Sequence, residues 1–268
     1  MKAGFIWRPG THVRLVSRLM HDWDYARLVI ARRIAGDIVL SDNPGEAMKK
    51  WREYFEVSQN EIARKMGVSP SVISDYEKGR RYPGAKFVRK YVSSLIEIDA
   101  KRGLNKISEL AYTVGVPPNA VLDMREFEKP LTVASIADAV KGVILAAKDK
   151  SGRRVYGYTV VDSINAIMSL TGMQFTLLFG SVPDRAIVFT NSRFGRSPMV
   201  AVRVAPIKPA VVVIHGPRRD KDVDPLAINL AEAEGIPLIL SLASSREELV
   251  DRLKMLARRA SLTGLLEA

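Results

Sequence analysis

The sequence predicts an all-α domain over residues 1–128, followed by an α/β domain over 129–268 with a mostly parallel or mixed sheet. Three observations carry this. Up to about residue 116 the apolar residues recur at helical spacing, between caps and glycine stops. From about residue 155 they gather instead in short β-branched runs bounded by Gly, Pro and Asn. The last of these runs alternate with capped helical segments, which implies parallel strands joined by right-handed crossovers. A chain of 268 residues is long enough for two cores.

Residues 1–10 read as a loose start, and THVRLVSRLM (11–20) as an amphipathic helix. DWDYARLVIARRIAG (22–36) is a second, with Gly36 as its stop. SDNPGEA (41–47) breaks the chain and opens the helix EAMKKWREYF (46–55). Ser58 caps the next helix from Gln59 to Met66, with Glu61 reaching back to the Ser58 N–H in a capping box. Gly67 supplies the turn, because glycine tolerates positive φ. Ser69 caps a further helix, Pro70 takes its first position, and Gly79 stops it after about Lys78. AKFVRKYVSSLIEIDAKRG (85–103) is a long helix with Phe87, Val88, Tyr91, Leu95 and Ile98 mainly on one face. NKISELAYTVGV (105–116) is another, PPN (117–119) breaks it, and REFEKP (125–130) is the expected junction.

In the second half, VYGYTVV (155–161), FTLLFG (175–180), RAIVFT (185–190), MVAVRV (199–204), AVVVIHG (210–216) and IPLILSL (236–242) read as strands. DSINAIMSLTG (162–172) is a helix capped at Asp162 or Ser163 and stopped by Gly172. DPLAINLAEAEG (224–235) is capped by Asp224, and SREELVDRLKMLARRA (245–260) opens with a Ser245–Glu248 capping box.

The net charge is +12 and the pI about 9.9, which favours an anionic partner, nucleic acid before a membrane surface. Residues 1–125 hold 22 Lys+Arg against 14 Asp+Glu, a net of +8; the remainder holds 19 against 15, a net of +4. With no cysteine, disulfides, zinc ribbons and thiol catalysis are excluded. The three histidines, His12, His21 and His215, are scattered, so no metal site is expected. No apolar run approaches the roughly 18 residues of a membrane span, and the N-terminus lacks a signal-peptide core, so a cytoplasmic protein is expected. There is no glycine-rich phosphate loop and no nucleophile–base–acid arrangement, so neither a cofactor nor catalysis is expected.

The informative stretch is VSQNEIARKMGVSPSVISDYEKGRRYPG (57–84). Two helices of about eight residues joined by a turn of about three with a glycine have helix-turn-helix geometry. Ile62, Met66, Val68, Ile73 and Tyr76 fall on the inward positions, and Ala63 sits where the axes approach closely. From Arg64 to Lys90 there are eight basic residues and only two acids, Asp75 and Glu77.

SQNEIARKMGVSPSVISDYEKGRRYPG resembles the Xre/Cro class of phage-repressor helix-turn-helix domains over about residues 44–100, with AMKKWREYF as first helix and FVRKYVSSLI as a closing one. More loosely, the whole chain resembles archaeal predicted transcriptional regulators that join such a domain to a C-terminal α/β domain. The resemblance implies a sequence-specific regulator that binds double-stranded DNA as a homodimer, with the helix at about 70–78 in the major groove. Its open face carries Ser71, Ser74, Asp75 and Lys78, the candidates for reading bases. Serine hydroxyls donate or accept at any base edge, Asp75 could accept from the cytosine amine, and Lys78 could reach guanine or a phosphate. Asp75 could equally pair with Lys78 or Arg81, and Pro70 brings no donor. Gln59, Ser69, Arg80, Arg81, Tyr82 and Lys86 are the phosphate candidates.

The second half would sense or dimerise. The loops TNSRFGRSP (190–198) and VVVIHGPRRDKDVDP (211–225) offer Asn191, Arg193, Arg196, His215, Arg218 and Arg219 to a small anionic effector. His215 at a strand end also reads as a structural histidine. Two other readings stay open: an interaction protein that bridges basal transcription factors through the same helices, and an α/β enzyme with a DNA-tethering module. For the latter, only His215 and Asp162 offer themselves.

Overall fold

The structure, a computed structural model, describes residues 24–113, 120–172, 174–180 and 182–266. The start at 1–10, the helix at 11–20 and the break at 117–119 lie outside the described residues. The described chain divides into a helical unit and a sheet unit.

In the helical unit, α1 (Asp24–Leu40) buries Ala26, Ile30, Ile34 and Ile38, one row at a spacing of four. Gly36 does not end it. Ile38 continues the buried row, and Asp37 beyond the glycine accepts hydrogen bonds from Lys50 Nζ (2.5 Å) and Trp51 Nε1 (2.6 Å), so tertiary bonding carries the helix on. Next come α2 (Pro44–Tyr54), α3 (Gln59–Met66), α4 (Pro70–Glu77), α5 (Ala85–Lys101) and α6 (Asn105–Thr113). Tyr91 of α5 is fully buried and donates to Met48 O of α2 at 2.9 Å. Burial pushes its hydroxyl pKa up, so it stays a donor.

The sheet unit has six strands: β1 (Val121–Thr132), β2 (Gly142–Ala146), β3 (Arg154–Asp162), β4 (Ala186–Thr190), β5 (Val211–Ile214) and β6 (Leu238–Ser241). Their order is β1-β3-β4-β5-β6-β2. The four inner strands run parallel, and β1 and β2 close the edges antiparallel. The row Val160–Val188–Val213–Ile239 crosses the parallel strands. It packs with α7 (Val133–Ala139) and α11 (Arg246–Leu266) through Val133, Ile136, Leu249 and Leu253. The next row, Val161–Phe189–Ile214–Leu240, points to the opposite face and is also buried. There lie α8 (Ser163–Ser169), α9 (Arg196–Val204) and α10 (Pro225–Glu234). Strands covered on both faces are continuous apolar runs rather than alternating ones.

Several expectations for this half are corrected. Residues 125–130, expected as the junction, lie inside β1, which pairs with β3; Asp, Arg, Glu and Lys hid the strand. MVAVRV is not a strand but the body of α9. Parallel β4 and β5 need a return across the sheet, which a helix provides. Met199 and Val202 turn inward at i, i+3 while Val200 and Val204 stay exposed. FTLLFG is a 3-10 helix, Gln174–Phe179. Thr171 and Gln174 cap it reciprocally: Thr171 Oγ1 accepts from Gln174 N (3.3 Å), and Gln174 Oε1 accepts from Thr171 N (2.9 Å). Helix α8 ends at Ser169, before Gly172, with Leu170 already extended.

The expected caps at Asp162, Asp224 and Ser245 are present. The reciprocal halves of two boxes are not. Glu61 is taken by Arg102 (2.7 and 2.8 Å), and Glu248 accepts from Ser244 N (2.8 Å) rather than from Ser245. Among the described residues no helix is long and apolar enough to cross a membrane.

Candidate nucleic-acid interface

Helix α3 starts where Ser58 Oγ accepts from Glu61 N (3.1 Å) and ends at Gly67 in the left-handed region (φ 64°). Helix α4 starts at Pro70. Ser69 holds the cap position, but its hydroxyl makes no cap bond to the helix. It lies 2.8 Å from Ser71 Oγ instead. The end of α4 is closed by Gly79 N to Tyr76 O (3.0 Å) and Arg80 N to Asp75 O (2.9 Å), with Gly79 at φ 70°. Ile62, Ala63, Met66 and Ile73 are buried between the helices, as the spacing requires. Val68 and Tyr76 are half-buried. Tyr76 stacks on Phe87 of α5 with ring centroids 4.0 Å apart.

The clamp that fixes α4 is polar and was not foreseen. Glu77, 3 % exposed, receives both arms of buried Arg52: Nε to Oε1 at 2.7 Å and Nη2 to Oε2 at 2.9 Å. Arg52 Nη1 also donates to Val57 O (2.9 Å), and Gln59 Nε2 donates to Glu77 Oε2 (2.7 Å). The carboxylate holds the Arg52 pKa above its ordinary value. One fork therefore joins α2, the entry to α3 and the last residue of α4. Glu77 stands four residues after buried Ile73, on the same helix face, which is the signal that could have found it. Gly45 is a second unforeseen part. A Cβ there would lie 2.2 Å from Tyr76 O, so only glycine lets the start of α2 approach the end of α4.

The outer side of α4 presents Ser71 and Lys78 exposed, with Ser74 and Asp75 half-buried. Asp75 pairs with neither Lys78 nor Arg81. Its Oδ1 lies 3.2 Å from Arg80 Nη1, because the backbone turn at Gly79 folds Arg80 back over it. Arg80, Arg81, Tyr82 and Lys86 are all exposed just beyond α4, while Gln59 is turned onto Glu77 at the start of α3. Lys65 is paired with Glu97, which removes it from the open cations.

The expected effector group is broken up by internal pairing. Arg196 binds Asp224, Arg219 binds Asp222 at 3.1 Å, and Asn191 donates to Asp162 at 2.6 Å. Arg193 and Arg218 are exposed, with Arg193 lying over the Phe194 ring. His215 is half-buried, and burial lowers its pKa, which keeps it neutral. Arg246, not foreseen, approaches Asp162 at 3.6 Å.

A helix-turn-helix family profile matches residues 48–95, which span this unit from α2 into α5. An uncharacterized HTH-type transcriptional regulator of Archaeoglobus fulgidus is 48 % identical over 212 residues, 79 % of this chain and 91 % of its own length. A second one, from Methanocaldococcus jannaschii, is 48 % identical over 227 residues, 84 % of this chain and 93 % of its own. No solved structure matches the chain. The likeness runs through both units, and the chain belongs to the family of HTH-type transcriptional regulators, a DNA-binding transcriptional regulator.

Proposed function

We propose that the chain is a sequence-specific, cytoplasmic regulator that lays α4 in the major groove of double-stranded DNA as a homodimer. The observation that carries this is the two-sidedness of α4. Ile73 and Glu77 anchor one side while Ser71, Ser74, Asp75 and Lys78 stand on the other, and exposed Arg80, Arg81, Tyr82 and Lys86 follow directly. Lys78 and the serines are the base readers, and the salt bridge to Arg80 keeps the Asp75 charge neutralised near phosphates. Arg80, Arg81, Tyr82, Lys86, Ser69 and the α3 start at Gln59 grip the backbone. With four to six phosphates neutralised per subunit and two subunits on the duplex, the logarithm of affinity falls with log salt at a slope of about −7 to −11. In the sheet unit, exposed Arg193 and Arg218 on the loops after β4 and β5 are the place to look for a small anionic effector.

The test is a selection of bound genomic fragments at low and high salt, with wild type beside Ser71→Ala/Lys78→Ala. A palindromic motif that weakens in the variant is expected. Equal, salt-sensitive retention of all fragments by both proteins would overturn base reading and favour the bridging role.

A further inference from the structure

Residues 163–183 contain no Asp, Glu, Lys or Arg, the longest such run in a chain that is 26 % charged. Much of this run is not buried. On α8, Ile164, Ile167 and Met168 are 58, 68 and 83 % exposed; on neighbouring α9, Val200 and Val204 are 43 and 75 % exposed. Between the two helices lies a groove of about 240 Å³, floored by Phe189 and flanked by Ile167 and Val204. Ile167 and Val204 line the groove; Ile164 and Met168 share the helix face of α8 with Ile167, and Val200 stands one turn before Val204 on α9.

We infer that this face is where two copies of the chain meet; the inference rests on the reading of the chain as a dimeric DNA binder. Three features select a second copy over another occupant. The first is charge: two chains of +12 repel one another, and this run is the surface where they can approach without opposing like charges. The bordering cations are already neutralised, Arg196 by Asp224 and Arg203 and Lys208 by Glu234. The second is shape: Met168, 83 % exposed, projects from α8 next in sequence to Ile167, which lines the groove. A twofold axis through such a face seats each projection in the partner's groove, as an isologous interface requires. The third is use. One helix-turn-helix reads one half-site, so a palindromic site needs two copies of the chain.

The test is sedimentation velocity of the full chain at micromolar concentration. It compares wild type, Ile167→Glu/Met168→Glu, and Leu40→Glu as a control at an equally exposed apolar residue of the helical unit. Because the substituted side chains are exposed in the single chain, far-UV circular dichroism should match wild type, which separates dissociation from misfolding, while melting should lose the concentration dependence that a dimer gives. Expected are a dimeric wild type and control, and a double variant whose self-association is weakened by more than about a hundredfold. Binding to a mixed-sequence duplex should then lose about half its salt slope in the double variant. A monomeric wild type overturns the inference, and so does a double variant that stays dimeric. If no protein binds the duplex, the DNA-binding reading fails, and sedimentation still decides the interface.

Discussion

Each unit seals one arginine in its interior, and the two are held differently. Arg52 in the helical unit is matched by a full carboxylate, Glu77, in a two-pronged pair. Arg185 in the sheet unit is wholly inaccessible and is held mainly by backbone. Its Nη1 donates to Phe179 O (2.7 Å), and its Nη2 to Tyr158 O (3.0 Å) and Arg125 O (3.1 Å), with Glu126 at 3.1 Å. Gly180 makes room for it, since a Cβ there would sit 1.9 Å from Nη1. The first arrangement links side chains of different helices and fixes the direction of α4. The second satisfies carbonyls where the 3-10 helix, β1 and β3 converge. A helix spends its own backbone groups internally, so helices are joined by side-chain pairs. An irregular corner leaves carbonyls that one long donor can collect.

This contrast can be broken at either end. Arg185→Met should have the largest effect. It removes the Arg185 hydrogen bonds to three backbone carbonyls and to Glu126 and costs the sheet unit about 3–5 kcal/mol. Hydrogen exchange should show the loss there, with protection in the helical unit unchanged. Glu77→Gln should cost the helical unit about 2–3 kcal/mol, because Arg52 keeps an acceptor but loses its buried counter-charge and is left with exposed Glu53 at 3.5 Å. Replacing both partners, Arg52→Met with Glu77→Leu, should restore most of that stability on urea denaturation but not DNA affinity, since Gln59 then loses its partner. Arg80→Ala/Arg81→Ala touches no core. It should move stability by less than about 0.5 kcal/mol while lowering the salt slope of DNA binding by the dimer by about 4. The smallest effect is at His215. Its folded pKa lies below the unfolded value of about 6.5, so the unfolded chain binds the proton more readily. Stability should be full above that pH and slip as pH falls through it. A melting series should show this slope flattened in His215→Gln.

Local signals carried the reading wherever an element is shaped by its own residues. Ser58, Gly67, Pro70 and Gly79 announce both helices of the pair, and Asp162 and Asp224 announce helices of the sheet unit. The failures have one cause. Gly36 looked like a stop because the bonds of Asp37 to Lys50 and Trp51 come from another helix. MVAVRV looked like a strand because valine favours strands, while its position between two parallel strands demands a helix. Charged side chains hid β1, whose partner β3 follows more than twenty residues later.

The sequence by itself determined the helix-turn-helix, the parallel strands and the basic surface beside α4. Caps, glycine turns, apolar spacing and charge all act within a few residues of themselves. Only the tertiary structure decided that Glu77 is the keystone of α4 rather than a surface acid, and that Asp75 answers to Arg80. It also decided that Arg196 and Arg219 are paired internally. Which charges are neutralised and which stay open depends on what folds against them, and that is not written in the neighbouring residues.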